Sequence, residues 1–173
     1  CASHLYPYKN ILRMLDAFSI ALNVTNKSIK LVIAGSRDYK YYDKLILQKI
    51  ESLSLKNNVK LLGSVPKEEL RELYSNCSFI IFPSPFENFA YTLVEAMSCG
   101  AAITCSNTTA MPETCQDAAL YFDPYNIDEM VEKIILLILN EKIREKLKQK
   151  ALKRASELPD YKEVTDLTMD IIE

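Results

Sequence analysis

The sequence predicts a single α/β domain in which a doubly wound parallel β-sheet is flanked by helices on both faces. Two observations predict this fold class. Short stretches that are apolar on both faces alternate along the chain with segments whose apolar residues recur every three or four positions. Strands without a polar face need helices above and below them, and parallel sheets provide this arrangement. The length of 173 residues is enough for one well-buried core.

Five stretches are predicted to be strands because they are short, apolar and rich in β-branched residues. The order of strand and helix, repeated along the chain, predicts right-handed crossovers within a parallel sheet. The predicted strands cover residues 29–34, 59–62, 79–82, 101–105 and 118–122.

Seven segments are predicted to be helices from their apolar periodicity. Pro66 suits the first turn of one helix, Gly100 can adopt the left-handed conformation that ends another, and Asn126 can cap a third. The run IILLIL at 134–139 is apolar all round and is therefore expected in the core. The interval 106–113 is expected to be a surface loop. The predicted helices cover residues 10–23, 41–53, 67–74, 90–98, 127–139, 141–158 and 161–172.

The composition excludes several classes of protein. The formal net charge is -2, from 21 basic and 23 acidic residues, so no overall field attracts nucleic acid. The five cysteines form no C-x-x-C pair, which argues against a disulfide framework or a zinc site and favours a reducing, cytoplasmic compartment. The longest uninterrupted apolar run, 134–139, is far shorter than the roughly 20 residues that cross a bilayer.

Scarce glycine and histidine narrow the chemistry further. The three glycines are scattered, so the chain has neither a G-x-G-x-x-G dinucleotide motif nor a P-loop. Gly35 and Gly63 follow predicted strands, where they serve either a tight turn or the close approach of a nucleotide. The single histidine, His4, argues against a multi-histidine metal centre and a Ser-His-Asp triad. We therefore expect no metal cofactor.

Two glutamates, Glu87 and Glu95, lie eight positions apart across a predicted junction between a loop and a helix. Free backbone N–H groups of Phe89, Ala90 and Tyr91 at the helix start would favour an anion such as a diphosphate. Glu95 could then accept hydrogen bonds from ribose hydroxyls, and Glu87 from a sugar on the other side of the phosphates. The alternative is that both glutamates are solvated surface charges, which is common for this residue type.

The context of these glutamates is more specific than their spacing. The stretch FIIFPSPFENFAYTLVEAMSCGAAITCSNTTAMPETCQDAALYFDP, residues 79–124, resembles the signature region of glycosyltransferase family 4, retaining enzymes of the GT-B fold. In that family a strand ending in Pro-Ser leads to two glutamates separated by seven residues, and then to Glu-Ala-x-x-x-Gly, Pro-Glu and Asp-Pro. The matching positions here are Pro83-Ser84, Glu87, Glu95, Ala96, Gly100, Pro112-Glu113 and Asp123-Pro124.

The start of the chain, SHLYPYKN, is similar to the family's Gly-Arg-x-x-x-x-Lys element, which supplies two cations to the donor diphosphate. Lys9 matches the lysine, whereas His4 stands where arginine is usual and would be a weaker phosphate ligand. Asn88 and Ala90 flank Phe89 at positions where the family commonly has glycines. Their larger side chains are expected to narrow the entrance of the site. By the same resemblance, the backbone near Val65 would border the nucleobase; an ordinary turn residue is the alternative.

The resemblance implies that residues 1–173 form one Rossmann-like half of a GT-B enzyme, its C-terminal nucleotide-sugar-binding domain. The sequence has no initial methionine and enters a helical pattern almost at once, so we expect an excised domain. The amino-terminal Rossmann-like domain that docks the acceptor is then absent, and the helix at 161–172 would pack toward it. We therefore expect no efficient transfer by the isolated chain.

The implied function is transfer of a sugar from a nucleotide diphosphate to a glycan or lipid-linked acceptor, in bacterial surface polysaccharide synthesis, with retention and usually without a bound metal. Glu87 would hold the donor sugar and is not assigned as a nucleophile. Two alternatives remain open: a sugar-nucleotide epimerase of the same architecture, and a noncatalytic nucleotide-binding or assembly module.

A basic stripe follows the penultimate predicted helix. Its four lysines recur at helical spacing, and solvated surface is the first interpretation. Peripheral contact with an anionic membrane at the inner face is the alternative. The stripe consists of Lys142, Lys146, Lys150 and Lys153.

Overall fold

The computed structural model describes residues 1–159. All strand pairs in it are parallel, in a two-stranded and a three-stranded sheet, which confirms the predicted α/β class. The strands are β1 (Leu31–Ala34), β2 (Val59–Gly63), β3 (Ile80–Phe82), β4 (Ile103–Ser106) and β5 (Ala119–Phe122).

The first residues of the chain run parallel to β1 and lie beside it. Ala2 forms a bridge with Ala34, and the Ser3 N–H donates to the Ala34 carbonyl at 2.9 Å. Ala2 also belongs to the same buried cluster as Ile80 and Phe82 of β3. The amino-terminal segment therefore lies between the two sheets, and its carboxyl end points to the same edge as the ends of β1 and β3.

Alternating residues of β3 show that the sheet is covered on both faces. Side chains of successive strand residues point to opposite faces. Ile81 packs into a core cluster with helices α1 (Ile11–Thr25), α2 (Lys40–Ser52) and α6 (Ile127–Leu139). Ile80 and Phe82 pack into a second cluster, with α3 (Lys67–Asn76), α4 (Tyr91–Ser98), α5 (Ala110–Cys115) and α7 (Glu141–Glu157).

Six of the seven predicted helices lie within the described residues, and all six are present with similar bounds. The predicted helix at 161–172 lies outside the described residues. Asn126 caps α6 as predicted, since its side-chain oxygen accepts from the N–H groups of Asp128 and Glu129. Gly100 follows α4 with φ +70°, the left-handed stop that was expected.

One local prediction is wrong, and a second holds except at one residue. The interval 106–113 is not wholly a loop, because α5 begins at Ala110; Met111 and Cys115 lie four residues apart on one face and are fully buried. Pro112 is tolerated there because the first turn of a helix needs no N–H donor. The run IILLIL packs in the core as expected through Ile134 and Leu137, which are fully buried, but Leu139 at its end is 59% exposed.

Gly35 is required by the approach of the amino-terminal segment to β1. A Cβ atom at this position would lie 1.8 Å from the carbonyl oxygen of Ser3. The backbone of Gly35 also has φ +146°, which side chains rarely allow. This packing role accounts for Gly35 without a bound nucleotide.

The cysteines are free thiols throughout the chain. Burial raises the pKa of the Cys105 thiol, and the neighbouring Cys115 raises it further.

Over residues 1–159 no helix is both long enough and apolar enough to cross a membrane.

Candidate functional site

Two loops meet at the carboxyl edge between the amino-terminal segment and β3. The first ends in a single 3-10 turn, Pro7–Lys9, and the second runs from Pro83 to Ala90. The Asn10 amide connects them, because its Nδ2 donates to the Pro83 carbonyl at 3.2 Å and to the Pro124 carbonyl at 2.8 Å. Open α/β sheets bind ligands at such an edge.

An ion pair lies at the centre of this site. Lys9 Nζ is 2.5 Å from Glu87 Oε1, and the two side chains are only 13% and 15% exposed. Lys9 Nζ also lies 5.0 Å from the centroid of the Tyr8 ring and 6.0 Å from that of Phe82. The structure thus brings two predicted site residues into direct contact, although 78 positions separate them in sequence.

The backbone of Glu87 is held by Thr109, a residue that the sequence did not point to. The Glu87 N–H donates to Thr109 Oγ1 at 3.1 Å. Thr109 has φ 49° and ψ -128°, a backbone conformation that a β-branched residue rarely adopts. Strained residues of this kind cluster at functional sites. This strain marks Thr109 as a site residue, and it is visible only in the folded chain.

The amino end of α4 differs in part from the expectation. The helix begins at Tyr91, and the Tyr91 N–H donates to the Phe89 carbonyl at 3.0 Å, so it is not free for an anion. Within residues 1–159 the N–H groups of Phe89 and Ala90 have no acceptor. The exposed Phe89 and Tyr91 rings lie 4.5 Å apart, whereas Ala90 is buried. Two of the three predicted N–H donors therefore lack a protein acceptor in that part of the chain, one on exposed Phe89 and one on buried Ala90.

Glu95 lies in the second turn of α4 and is exposed. Its carboxylate forms no ion pair with another residue of the described part, but it lies beside the Tyr74 hydroxyl. Tyr74 on α3 is a near neighbour: its buried hydroxyl has no hydrogen-bond partner there, and burial together with the Glu95 charge raises the pKa of the Tyr74 phenol. Glu95 thus faces α3, whereas Glu87 faces Lys9.

The remaining predicted residues lie at the same edge but make fewer contacts. His4 is exposed, and its ring centroid is 6.1 Å from that of Tyr6. Asn88 is exposed next to Glu87. Val65 is half-buried in the loop between β2 and α3. The end of β2 is bonded to the end of β1, because the Gly35 N–H donates to the Gly63 carbonyl.

Asn10 and Arg13 are site residues that the sequence did not identify. Asn10 has φ 59°, which asparagine tolerates better than most residues, and its position after Lys9 and before α1 is the signal that could have found it. Arg13 Nη1 donates to Asn10 Oδ1 at 3.2 Å, and its guanidinium lies 5.5 Å from the Tyr125 ring centroid. Arg13 therefore adds a cation beside Asn10, the residue that connects the two loops.

Across the part of the chain that the structure describes, no group of three or more His, Cys, Asp or Glu side chains is placed to hold a metal ion.

The basic stripe on α7 is partly neutralised, because Lys150 lies 2.6 Å from Asp117 and Lys153 lies 3.7 Å from Glu157.

A groove of about 550 Å³ lies away from this site, at the amino ends of β1 and β3. It is lined by Cys1, Leu31, Leu73 and Phe79 among other residues, and none of the predicted site residues contributes to it. Its size does not make it the candidate site, because ligands of open α/β sheets bind at the carboxyl edge.

Comparison with known proteins identifies the family. The family described as "Glycosyl transferases group 1" matches residues 1–154. The O-antigen chain mannosyltransferase B of Escherichia coli is 32% identical over 151 residues, covering 87% of this chain and 39% of that protein. The serotype-specific mannosyltransferase WbdA of the same species is 28% identical over 151 residues, covering 87% of this chain and 18% of that protein. The chain thus spans less than half the length of these curated relatives.

Solved structures show the same fold. The Anabaena protein HepE, in complex with UDP and glucose, superposes with a TM-score of 0.87 at 22% identity, covering 98% of this chain and 46% of that chain. The C-terminal domain of a glycosyl transferase group 1 family protein from Francisella tularensis gives a TM-score of 0.79 at 19% identity, covering 91% of this chain and 82% of that chain. The architecture is that of GT-B glycosyltransferases, and the chain belongs to the glycosyl transferases group 1 family.

Proposed function

We propose that this chain is the donor-binding domain of a retaining glycosyltransferase of family 4, which takes a nucleotide-diphosphate sugar as its donor. The observation that carries the proposal is the position of Lys9 beside Glu87 at the amino end of α4. A cation, free N–H groups and a carboxylate at one loop junction are the groups that a diphosphate and an attached sugar need.

The diphosphate would lie against Lys9 and the amino end of α4. The N–H groups of Phe89 and Ala90 are available to its oxygens, and the helix dipole favours negative charge there. His4 is exposed at the start of the same loop and can donate a hydrogen bond, or supply charge when protonated. Tyr91 and Asn88 border the phosphates with their side chains.

The two glutamates would hold the sugars on either side. Glu95 is exposed, forms no ion pair in the described part, and can accept both ribose hydroxyls in a fork. Glu87 would accept hydrogen bonds from the donor sugar once the ligand engages Lys9. The backbone at Val65 would border the base, two strands away from Lys9 on the same edge.

The chemical step breaks the bond between the anomeric carbon and the diphosphate oxygen, and forms a bond from the same carbon to the oxygen of an acceptor hydroxyl with retention of configuration. The proton of that hydroxyl passes to the leaving diphosphate. Negative charge develops on the leaving diphosphate, and Lys9 with the N–H groups of α4 would stabilise it in the transition state. We propose that these groups perform this role without a metal ion. The step leaves Glu87 as a group that holds the sugar.

The acceptor is proposed to be a glycan or lipid-linked glycan of a bacterial surface polysaccharide. Two relatives are named as mannosyltransferases, one of them of O-antigen chains. This chain would work together with an acceptor-binding domain of the GT-B type, and would transfer sugar inefficiently by itself. Robust turnover by the 173 residues alone would contradict this last part.

Titration calorimetry with UDP, GDP and ADP tests the donor assignment. We expect one of the three to bind, and Glu95→Ala to weaken that binding at least about tenfold because two ribose hydrogen bonds to a charged acceptor are lost. Glu68→Gln, which removes an exposed carboxylate in the first turn of α3, is the matched control and should leave the affinity unchanged.

Three results would contradict the proposal. Absence of binding by all three diphosphates at millimolar concentration would favour a noncatalytic assembly module. Unchanged binding by Glu95→Ala would remove the ribose assignment. Epimerised sugar nucleotide after incubation of the protein with UDP-glucose or GDP-mannose, detected by proton NMR, would favour an epimerase.

A further inference from the structure

The ion pair between Lys9 and Glu87 joins the two side chains that are proposed to bind different parts of the donor. The cation proposed for the diphosphate is already bound to the carboxylate proposed for the sugar, at 2.5 Å. Both side chains are largely shielded from water, so the attraction between the two charges is screened less than in an exposed surface pair. Lys9 has further N–H donors, but it carries a single positive charge, so a diphosphate competes with Glu87 for that charge.

The surrounding structure keeps both groups in place for this competition. Asn10 fixes the turn that carries Lys9, through its hydrogen bonds to the Pro83 and Pro124 carbonyls. Thr109 fixes the backbone of Glu87. Because both backbones are anchored, a ligand can separate the pair only by moving the two side chains.

The two nucleotide ligands differ in what they offer Glu87. A nucleotide sugar brings hydroxyl groups that can donate to the carboxylate after Lys9 turns to the phosphates. A bare nucleoside diphosphate brings no such donor, so it leaves a shielded carboxylate without a partner, which is energetically unfavourable.

Resting on the proposed function, we infer that Glu87 is a specificity-determining residue that discriminates the nucleotide sugar from the bare nucleoside diphosphate, by competing for Lys9. The donor binds because its sugar replaces Lys9 as the partner of Glu87. After transfer the sugar is gone, Glu87 returns to Lys9, and the nucleoside diphosphate is displaced. The same residue thus favours donor binding and product release.

The test compares two pairs of probes by titration calorimetry: UDP with UDP-glucose, and GDP with GDP-mannose. For the pair that wild type binds, we expect Glu87→Gln to bind the bare diphosphate about tenfold more tightly, since a neutral amide competes weakly for Lys9. Its affinity for the nucleotide sugar should not rise to the same extent, because the charge-assisted bonds to the sugar are lost. The preference for the sugar nucleotide should therefore fall.

A double-mutant cycle separates competition for Lys9 from simple repulsion of the phosphates by Glu87. In a Lys9→Met background, Glu87→Gln should no longer tighten binding of the bare diphosphate. If the gain persists in that background, repulsion accounts for it and the inference is overturned. Inorganic pyrophosphate, which has neither base nor sugar, should follow the bare diphosphate in all four proteins.

Failure of this inference and failure of the proposed function give different results. If wild type binds a nucleotide sugar but Glu87→Gln leaves the affinity for the bare diphosphate unchanged, only the inference is overturned. If wild type binds none of the probes, both are overturned. Thermal unfolding of Glu87→Gln and of Glu87→Ala checks that the variants are folded. The affinity for the bare diphosphate should increase in both variants.

Discussion

The loops around Lys9 and Glu87 and the region of α6 and α7 are held in place by different kinds of contact. Helices α6 and α7 begin with asparagine caps, Asn126 and Asn140, which bond to N–H groups two or three residues away. The site loops depend instead on contacts between residues 22 to 114 positions apart. Local sequence therefore determines the first region, and the assembled fold determines the second.

Gly35→Ala should have the largest effect on stability, because the added methyl group disrupts the backbone packing that holds the amino-terminal segment against β1. Its Cβ would overlap the Ser3 carbonyl at 1.8 Å. We expect a loss of more than about 3 kcal/mol in the free energy of unfolding, together with loss of nucleotide binding, since residues 1–5 must move. Urea unfolding and calorimetry measure the two effects.

The matched control is Gly100→Ala. Its φ of +70° is similarly unfavourable for alanine, but the nearest Leu152 atoms lie at 3.5 Å, an ordinary contact. The expected cost is about 1 kcal/mol, without a change in nucleotide affinity. Equal costs for the two variants would show that close approach at Ser3 is unimportant.

Asn10→Ala should have the next largest effect, about 3 kcal/mol in the free energy of unfolding. It leaves the buried Pro83 and Pro124 carbonyls without their donor and places alanine at φ 59°. Asn126→Ala removes one helix cap and should cost only about 1 kcal/mol. Chemical denaturation of both variants makes the comparison directly, and a smaller loss for Asn10→Ala than for Asn126→Ala would reverse it.

Thr109→Val should have the smallest effect on stability, about 0.5 to 1 kcal/mol, because one hydrogen bond to the Glu87 N–H is lost and the shape is kept. It should nevertheless weaken nucleotide-sugar binding severalfold by loosening Glu87. Thr109→Ser retains the hydroxyl and should bind as wild type does. If valine and serine bind equally well, the Thr109 contact does not position Glu87.

The predicted elements were correct where a segment's own pattern decides its structure. The six helices within the described residues follow their apolar periodicity, and the five strands follow their apolar runs. The pattern was misleading at α5, where the buried contacts of Met111 and Cys115 outweigh a loop-like composition. Tertiary packing can override local preference in such short segments.

The candidate site was predicted in part. Lys9 and Glu87 were both singled out, but their contact was not, because sequence spacing says nothing about which loops share an edge of the sheet. The Tyr91 N–H was wrongly expected to be free, because the turn before the helix brings the Phe89 carbonyl to 3.0 Å from it. Thr109 and Asn10 were missed because each acts through a long-range hydrogen bond of its side chain, which a backbone with positive φ helps to aim.

By itself the sequence determined the α/β class, the order of the elements and the residue types that meet at the ends of the strands, because these depend on periodicity and on neighbours a few positions away. Only the tertiary structure decided that Lys9 is already paired with Glu87 and that Glu95 faces α3. The physical reason is that side chains of opposite charge pair according to distance in space. That distance is set by the packing of helices on both faces of the sheet.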